Sequence, residues 1–175
     1  LKGEGRYEAL TEEVNTFLVL SGGGNAKQDL ESGAGVDPET FAALYAGAAI
    51  PEIAEALNGL VADSFALYLK TKNFHWHVSG PHFRDYHLMF DEQAAEILAT
   101  TDLIAERVRK IGHATLRSIG EVSKRQTVKD SNADFVSPAD MLEELRADNL
   151  ALVETLRATK ELTDAAKDNA TDGLI

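Results

Sequence analysis

Apolar residues recur at three- and four-residue intervals over three separate stretches, and that spacing confines most of the chain to helix. Ile53, Leu57, Leu60, Val61, Ser64 and Tyr68 lie along one stripe of a helix predicted to start at Pro51 and to run to about Val78. Ser79-Gly80-Pro81 stops it and starts the next. Phe83, Tyr86, Phe90, Ala94, Ile97, Leu98, Ile104, Val108 and Ile111 are the expected buried face of that second helix, which ends at Gly112. A third, carrying Leu142, Leu145, Leu152, Leu156 and Leu162, is entered through Ser137-Pro138-Ala139-Asp140 and runs to about Lys167. That entry has a cap, a proline at the first helical position and an acid in the first turn. Residues 113–136 have room for one short helix around Arg117–Lys124. No segment has the character of a strand and no internal repeat is visible. The class is all-α, and three long amphipathic helices point to a bundle.

The first 50 residues read as an extension to a domain over 51–175. Tyr7, Leu10, Val14, Phe17 and Leu18 form the apolar stripe of a helix over about Gly5–Leu20. Ser21-Gly22-Gly23-Gly24-Asn25 breaks it as a flexible linker. Asp37-Pro38 then opens a short helix whose apolar face is Phe41, Leu44 and Tyr45, ended by Gly47.

Composition narrows the function. A chain of 175 residues makes one domain with room for a core. Without cysteine there is no disulfide, thiolate metal site or cysteine nucleophile, which fits a soluble, cytoplasmic protein. No run of apolar residues approaches membrane-spanning length and no secretory leader is visible, so no membrane role is expected. A net charge of −12 opposes general polyanion binding, which needs clustered Lys and Arg, and is compatible with handling cations.

The chemistry is concentrated in the second helix. His87 and Asp91 are four residues apart and share a face; so do Asp102 and Glu106. An imidazole with carboxylates is an N/O ligand set suited to iron, zinc or manganese. The eleven residues between Asp91 and Asp102 span three turns, so both pairs point the same way, about 16 Å apart. Metal–ligand bonds are about 2 Å, so the pairs cannot close on one ion within a chain. Two antiparallel copies of the helix across a two-fold axis would bring the histidine pair of one chain to the acid pair of the other, and would make two equivalent sites. His75, at the end of the preceding helix, could join either group. On spacing alone, pairs of this kind also describe a solvated helix face. His77, His82 and His113 read as surface or interface residues. Trp76 reads as core or interface packing, although its place beside a redox ligand would suit an electron donor. Other chemistries are absent. The residues three before the histidines are Lys72, Phe74, Ser79, Arg84 and Lys110, so the Glu-x-x-His of an internal di-iron bundle site is missing. There is no His-Glu-x-x-His, phosphate loop or Gly-x-Ser-x-Gly.

The segment Leu67-Tyr68-Leu69-Lys70 through Phe74-His75-Trp76, then Gly80, Phe83-Arg84-Asp85-Tyr86-His87, Asp91-Glu92, Asp102 and Ala105-Glu106-Arg107, resembles the Dps family, the mini-ferritins or DNA-binding proteins from starved cells. The family pattern is a histidine before tryptophan, a histidine twelve on, an aspartate four further, then Asp-x-x-x-Glu eleven further. His75, His87, Asp91, Asp102 and Glu106 fill every position, and that match selects the metal reading. The resemblance covers about Ile50–Ile175 and is strongest over Leu67–Gly112. It implies a ferritin-like four-helix bundle with a short helix in the long crossover, assembled as a hollow homododecamer with iron sites at two-fold interfaces. Such a cage is a ferroxidase and iron store: it oxidises Fe(II), preferentially with hydrogen peroxide, keeps ferric mineral inside and so protects against oxidative damage. By the same resemblance His75, Asp102 and Glu106 are the firmest iron ligands. His87 and Asp91 complete the site as weaker ligands or through water, with Trp76 as possible electron donor. Zinc or another divalent metal is an expected substitute. The alternative is a nucleoid-associated protein that coats DNA with little enzymatic role. Residues 1–50 hold only Lys2, Arg6 and Lys27 against eight acids, which argues against direct DNA binding. One departure concerns the fourth helix. Asn169–Ile175 reads as its first turn, so either a C-terminal piece is missing from this sequence or the helix over 5–20 takes its place, as in a circular permutant.

Overall fold

Helix α1 spans Ala49–His77, α2 Phe83–Lys110, α3 Ile119–Arg125, α4 Pro138–Ala165 and α5 the single turn Asn169–Asp172. This computed structural model describes residues 49–175, with side chains from 50 onward. The expected helix over 5–20, the glycine linker and the short helix after Pro38 lie outside the described residues, and so does the question of what supplies a fourth long helix. Among the described residues there is no strand, and no helix is long and apolar enough to cross a membrane.

The element boundaries follow local chemistry. Gly80 stands at φ 101° in the turn between α1 and α2, a backbone conformation that side chains with a Cβ resist. Gly112, at φ 85°, follows the C-cap of α2; its N–H donates to the Arg109 carbonyl and that of His113 to the Val108 carbonyl. These are the two bonds of a Schellman ending. Ser137 caps α4 as its sequence implies: its hydroxyl oxygen accepts from the Asp140 N–H, with Pro138 in the first turn.

Helix α1 is the centre of the packing and lies against α2, α3 and α4. One end of the core joins Ile53, Leu57, Leu60 and Val61 of α1 to Ile104, Val108 and Ile111. The other joins Leu67, Phe74 and Val78 to Phe90, Met141, Leu145 and Val128 of the crossover. Phe74 and Phe90 are fully buried there, and each would cost roughly 3–5 kcal/mol to truncate to alanine. Asp63, itself buried, pins the crossover to α1 by accepting from the Thr127 N–H and hydroxyl and from the Val128 N–H.

Two expectations about α2 need correction. Phe83 is 45% exposed and Leu98 37% exposed, so neither belongs to the buried face. Within the described residues α2 packs chiefly on α1, which gives it a narrower buried stripe of Phe90, Ala94, Thr101, Ile104, Arg107 and Val108. Thr101 and Arg107 occupy buried positions because their polar groups are bonded, Thr101 to the Leu98 carbonyl and Arg107 to Asp168. Trp76 is 58% exposed, so it does not pack in the core of this chain.

Candidate metal centre

The last turn of α1 carries His75, and the first turns of α2 carry His87 and Asp91. The turn at Gly80 folds these two helix ends together. The imidazoles of His75 and His87 stack at 3.7 Å between centroids with an interplanar angle of 19°. Nδ1 of His75 lies 2.7 Å from the His87 carbonyl oxygen, and Nδ1 of His87 lies 2.8 Å from the His75 carbonyl oxygen. A carbonyl only accepts, so each Nδ1 carries the proton and donates it. In the neutral rings that leaves both Nε2 atoms with an open lone pair. Metal-binding histidines are held in this way, one nitrogen fixed to a backbone oxygen and the other free to coordinate.

Asp91 completes a cluster at this end of α2, its Oδ1 4.0 Å from His75 Nε2. That carboxylate already holds a cation. Lys72 Nζ, one turn before His75, lies 2.5 Å from Asp91 Oδ1. The hydrogen bond from Lys72 holds the Asp91 carboxyl below the usual carboxylate range; loss of hydration opposes the effect, and the charge of Lys72 and the two imidazoles add to it. The same ammonium sits 5.9 Å from the centre of the Trp76 ring. Spacing could not reveal this contact, because Lys72 and Asp91 belong to different helices.

Asp102 and Glu106 are exposed near the far end of the same unbroken helix, and Glu106 accepts from Lys110 at 3.1 Å. Continuity of α2 keeps Asp102 about 16 Å and Glu106 about 22 Å from Asp91. Among the described residues no three His, Asp or Glu side chains converge to hold a metal ion within one chain. The structure thus stacks His75 on His87 with Asp91 4.0 Å from His75, short of a three-ligand site, and leaves Asp102 and Glu106 apart. His77 and His82 are exposed, and His113 is half-buried.

A model of the ferritin-like domain matches residues 54–175 of this chain. The DNA protection during starvation protein of Brevibacillus brevis is 32% identical over 123 residues, covering 70% of this chain and 82% of that one. This chain belongs to the ferritin-like family, among the Dps proteins. A crystal structure of a Dps protein from Bacillus brevis superposes with a TM-score of 0.69 at 32% identity, covering 72% of this chain and 84% of the other. The Dps protein of Vibrio cholerae O1, described as a member of a broad superfamily of ferritin-like diiron-carboxylate proteins, superposes with a TM-score of 0.69 at 25% identity, over 72% and 79% of the two chains.

An open groove of this Dps chain lies beside Trp76, and neither His75 nor His87 lines it. Leu69, Trp76, Ile119 and Phe135 are all more than half exposed, and they line this groove between α1 and the crossover.

Proposed function

We propose that this Dps protein is a ferroxidase and iron store that works as a homo-oligomer, a hollow dodecamer. Its sites form where the His75, His87 and Asp91 cluster of one chain meets Asp102 and Glu106 of a two-fold-related copy. The observation that carries this reading is the reciprocal bonding of His75 and His87, which frees both Nε2 atoms, with the complementary carboxylates out of reach along the same helix. The exposed side chains of Trp76 and Phe83, neighbours of His75 and His87, support burial of this face by a second copy.

Ferrous iron is the substrate. Each hydrogen peroxide accepts one electron from each of two ferrous ions; its O–O bond breaks, and with two waters the products are two FeO(OH) and four protons. His75, Asp102 and Glu106 bind the ion most firmly, and His87 and Asp91 complete the site directly or through water. Trp76 stands next in the chain to His75, exposed, in a position to donate an electron when only one ferrous ion is present. Zinc or another divalent ion competes for the same ligands. The protein acts in the cytoplasm, where it keeps ferrous iron and peroxide from generating radicals. The test is to mix apo-protein with Fe(II) and peroxide and to follow ferric absorbance. An unchanged rate in an Asp102→Ala, Glu106→Ala variant would remove this assignment.

The names of the relatives favour a second reading, a nucleoid-associated cage that coats DNA. The three basic residues against eight acids in residues 1–50 oppose direct binding. A gel-shift assay with plasmid, with and without Mg²⁺, separates the two: no shift in either condition eliminates the coating role.

A further inference from the structure

Three rings, not two, are stacked at the histidine cluster. The Phe83 ring lies 5.0 Å from that of His87 with an interplanar angle of 25°, and His87 in turn stacks on His75 at 3.7 Å and 19°. Phe83 and His87 are four residues apart on α2, so they occupy the same helix face. We infer that Phe83 is a positioning residue for the ferrous site, acting through His87; this rests on the site proposed above.

The Nδ1–H···O=C bond anchors one edge of each imidazole but leaves the ring free to rock about that edge. Contacts on the ring faces remove that freedom. His75 is 9% exposed and fixed by its surroundings, so it settles one face of His87. Phe83 gives the His87 ring a second stacking partner. With two ring contacts restraining His87, the two imidazoles present their open nitrogens as one preformed pair, and less ordering is needed when the ion binds. Phe83 coordinates nothing and transfers no charge. It is also 45% exposed, so its truncation opens no cavity in the core, and a large apolar residue in the exposed first turn of α2 has its explanation in the ring it covers.

The test compares Phe83→Ala, Phe83→Leu and Phe83→Tyr in the full-length assembled protein. Zinc, which is redox-inert, is titrated calorimetrically, and the Fe(II) dependence of peroxide-driven oxidation is resolved into KM and kcat. Phe83→Ala is expected to raise both the zinc Kd and the Fe(II) KM by roughly tenfold, the scale of losing a ligand's orienting partner, while kcat holds. Phe83→Tyr keeps the flat ring and restores both values; Phe83→Leu supplies bulk without a ring face and does not. Wild-type zinc affinity in Phe83→Ala, or full recovery by Phe83→Leu, overturns the inference and leaves the site assignment intact. If Phe83→Ala fails to assemble, the Leu and Tyr variants decide the question in the same way: wild-type values in Phe83→Leu overturn the inference, and wild-type values in Phe83→Tyr alone support it. A wild-type protein that takes up no zinc, or takes it up equally after Asp102→Ala and Glu106→Ala, overturns the site and this inference with it.

Discussion

Each of His75 and His87 donates its ring Nδ1–H to the other's backbone carbonyl, at 2.7 and 2.8 Å. This reciprocal pair ties the end of α1 to the start of α2 and would prebuild one half of the proposed site, whose acidic half begins about 16 Å along α2 at Asp102. The consequence is complementation between defective chains. A His75→Ala, His87→Ala variant and an Asp102→Ala, Glu106→Ala variant should each be inactive alone. In a mixed two-fold pair, one of the two sites has both halves intact. Random 1:1 mixing makes half the pairs mixed, so about a quarter of the wild-type oxidation rate should return. The assay is ferric absorbance after co-refolding the two variants. No recovery would mean that the halves do not meet across subunits.

The Lys72 ammonium at Asp91 is an internal competitor for any metal ion that approaches. Water reaches both side chains and screens the pair, so the competition is weak. Lys72→Met is expected to tighten zinc binding by no more than a few-fold. It should also return the Asp91 pKa toward the usual carboxylate range, because the hydrogen bond that lowers it most is gone. In the wild type that carboxylate stays ionised further into acid, and the pair is lost as pH falls through the lowered pKa. Calorimetry and a carboxyl-resolved NMR titration read the two effects. Weaker zinc binding in Lys72→Met would show that Lys72 holds Asp91 in place for the ion.

The helices and the candidate ligands were legible because their signals are local. Gly80, Gly112 and Ser137-Pro138 mark turns and caps by their own conformational limits, so α1, α2 and α4 end within about two residues of expectation. Imidazole and carboxylate at four-residue spacing show which side chains share a face. Contacts between distant segments leave no such trace. The acceptors that orient His75 and His87 are backbone oxygens, which every residue possesses. Asp63, Lys70 and Arg107 are buried, against the usual expectation for charged residues. Each is compensated by partners 61 to 78 residues away in the chain. Phe83 and Trp76 are large and apolar, and composition does not distinguish a core position from an exposed one.

Lys70 illustrates what such compensation is worth. Its side chain is 6% exposed, with Nζ 2.7 Å from Asp148 and 3.0 Å from Glu144. Burial alone would lower its pKa, but the hydrogen bonds and charges of the two carboxylates outweigh it and raise the pKa above the usual lysine range. The stabilisation is therefore complete below the unfolded pKa and is lost as pH rises through the higher folded one. Asp148→Ala, which leaves the ammonium buried with one partner fewer, should cost about 3 kcal/mol, whereas Lys70→Met removes the charge and should cost less. Thermal melts at fixed protomer concentration test both. The wild type should lose stability at strongly alkaline pH more steeply than Lys70→Met, and parallel profiles would contradict this account.

The end of the described chain is held by a buried ion pair. Arg107 Nη2 donates to Asp168 Oδ1 at 2.7 Å and Nε to the Thr171 hydroxyl at 2.6 Å. Asp168 also caps the final turn, accepting from the Thr171 N–H at 3.1 Å. One carboxylate thus serves both as a helix cap and as the counter-charge of a guanidinium from the helix that carries Asp102 and Glu106. Asp168→Ala removes both functions and should destabilise by about 3 kcal/mol or more. Asp168→Asn keeps an acceptor for the cap and gives up the charge, so its loss should be smaller. Because Arg107 follows Glu106 directly, loosening this anchor should also weaken zinc binding at the acidic half-site. If Asp168→Ala melts within about 1 °C of wild type, a shift well below that expected for such a loss, the ion pair does not hold this end of the chain.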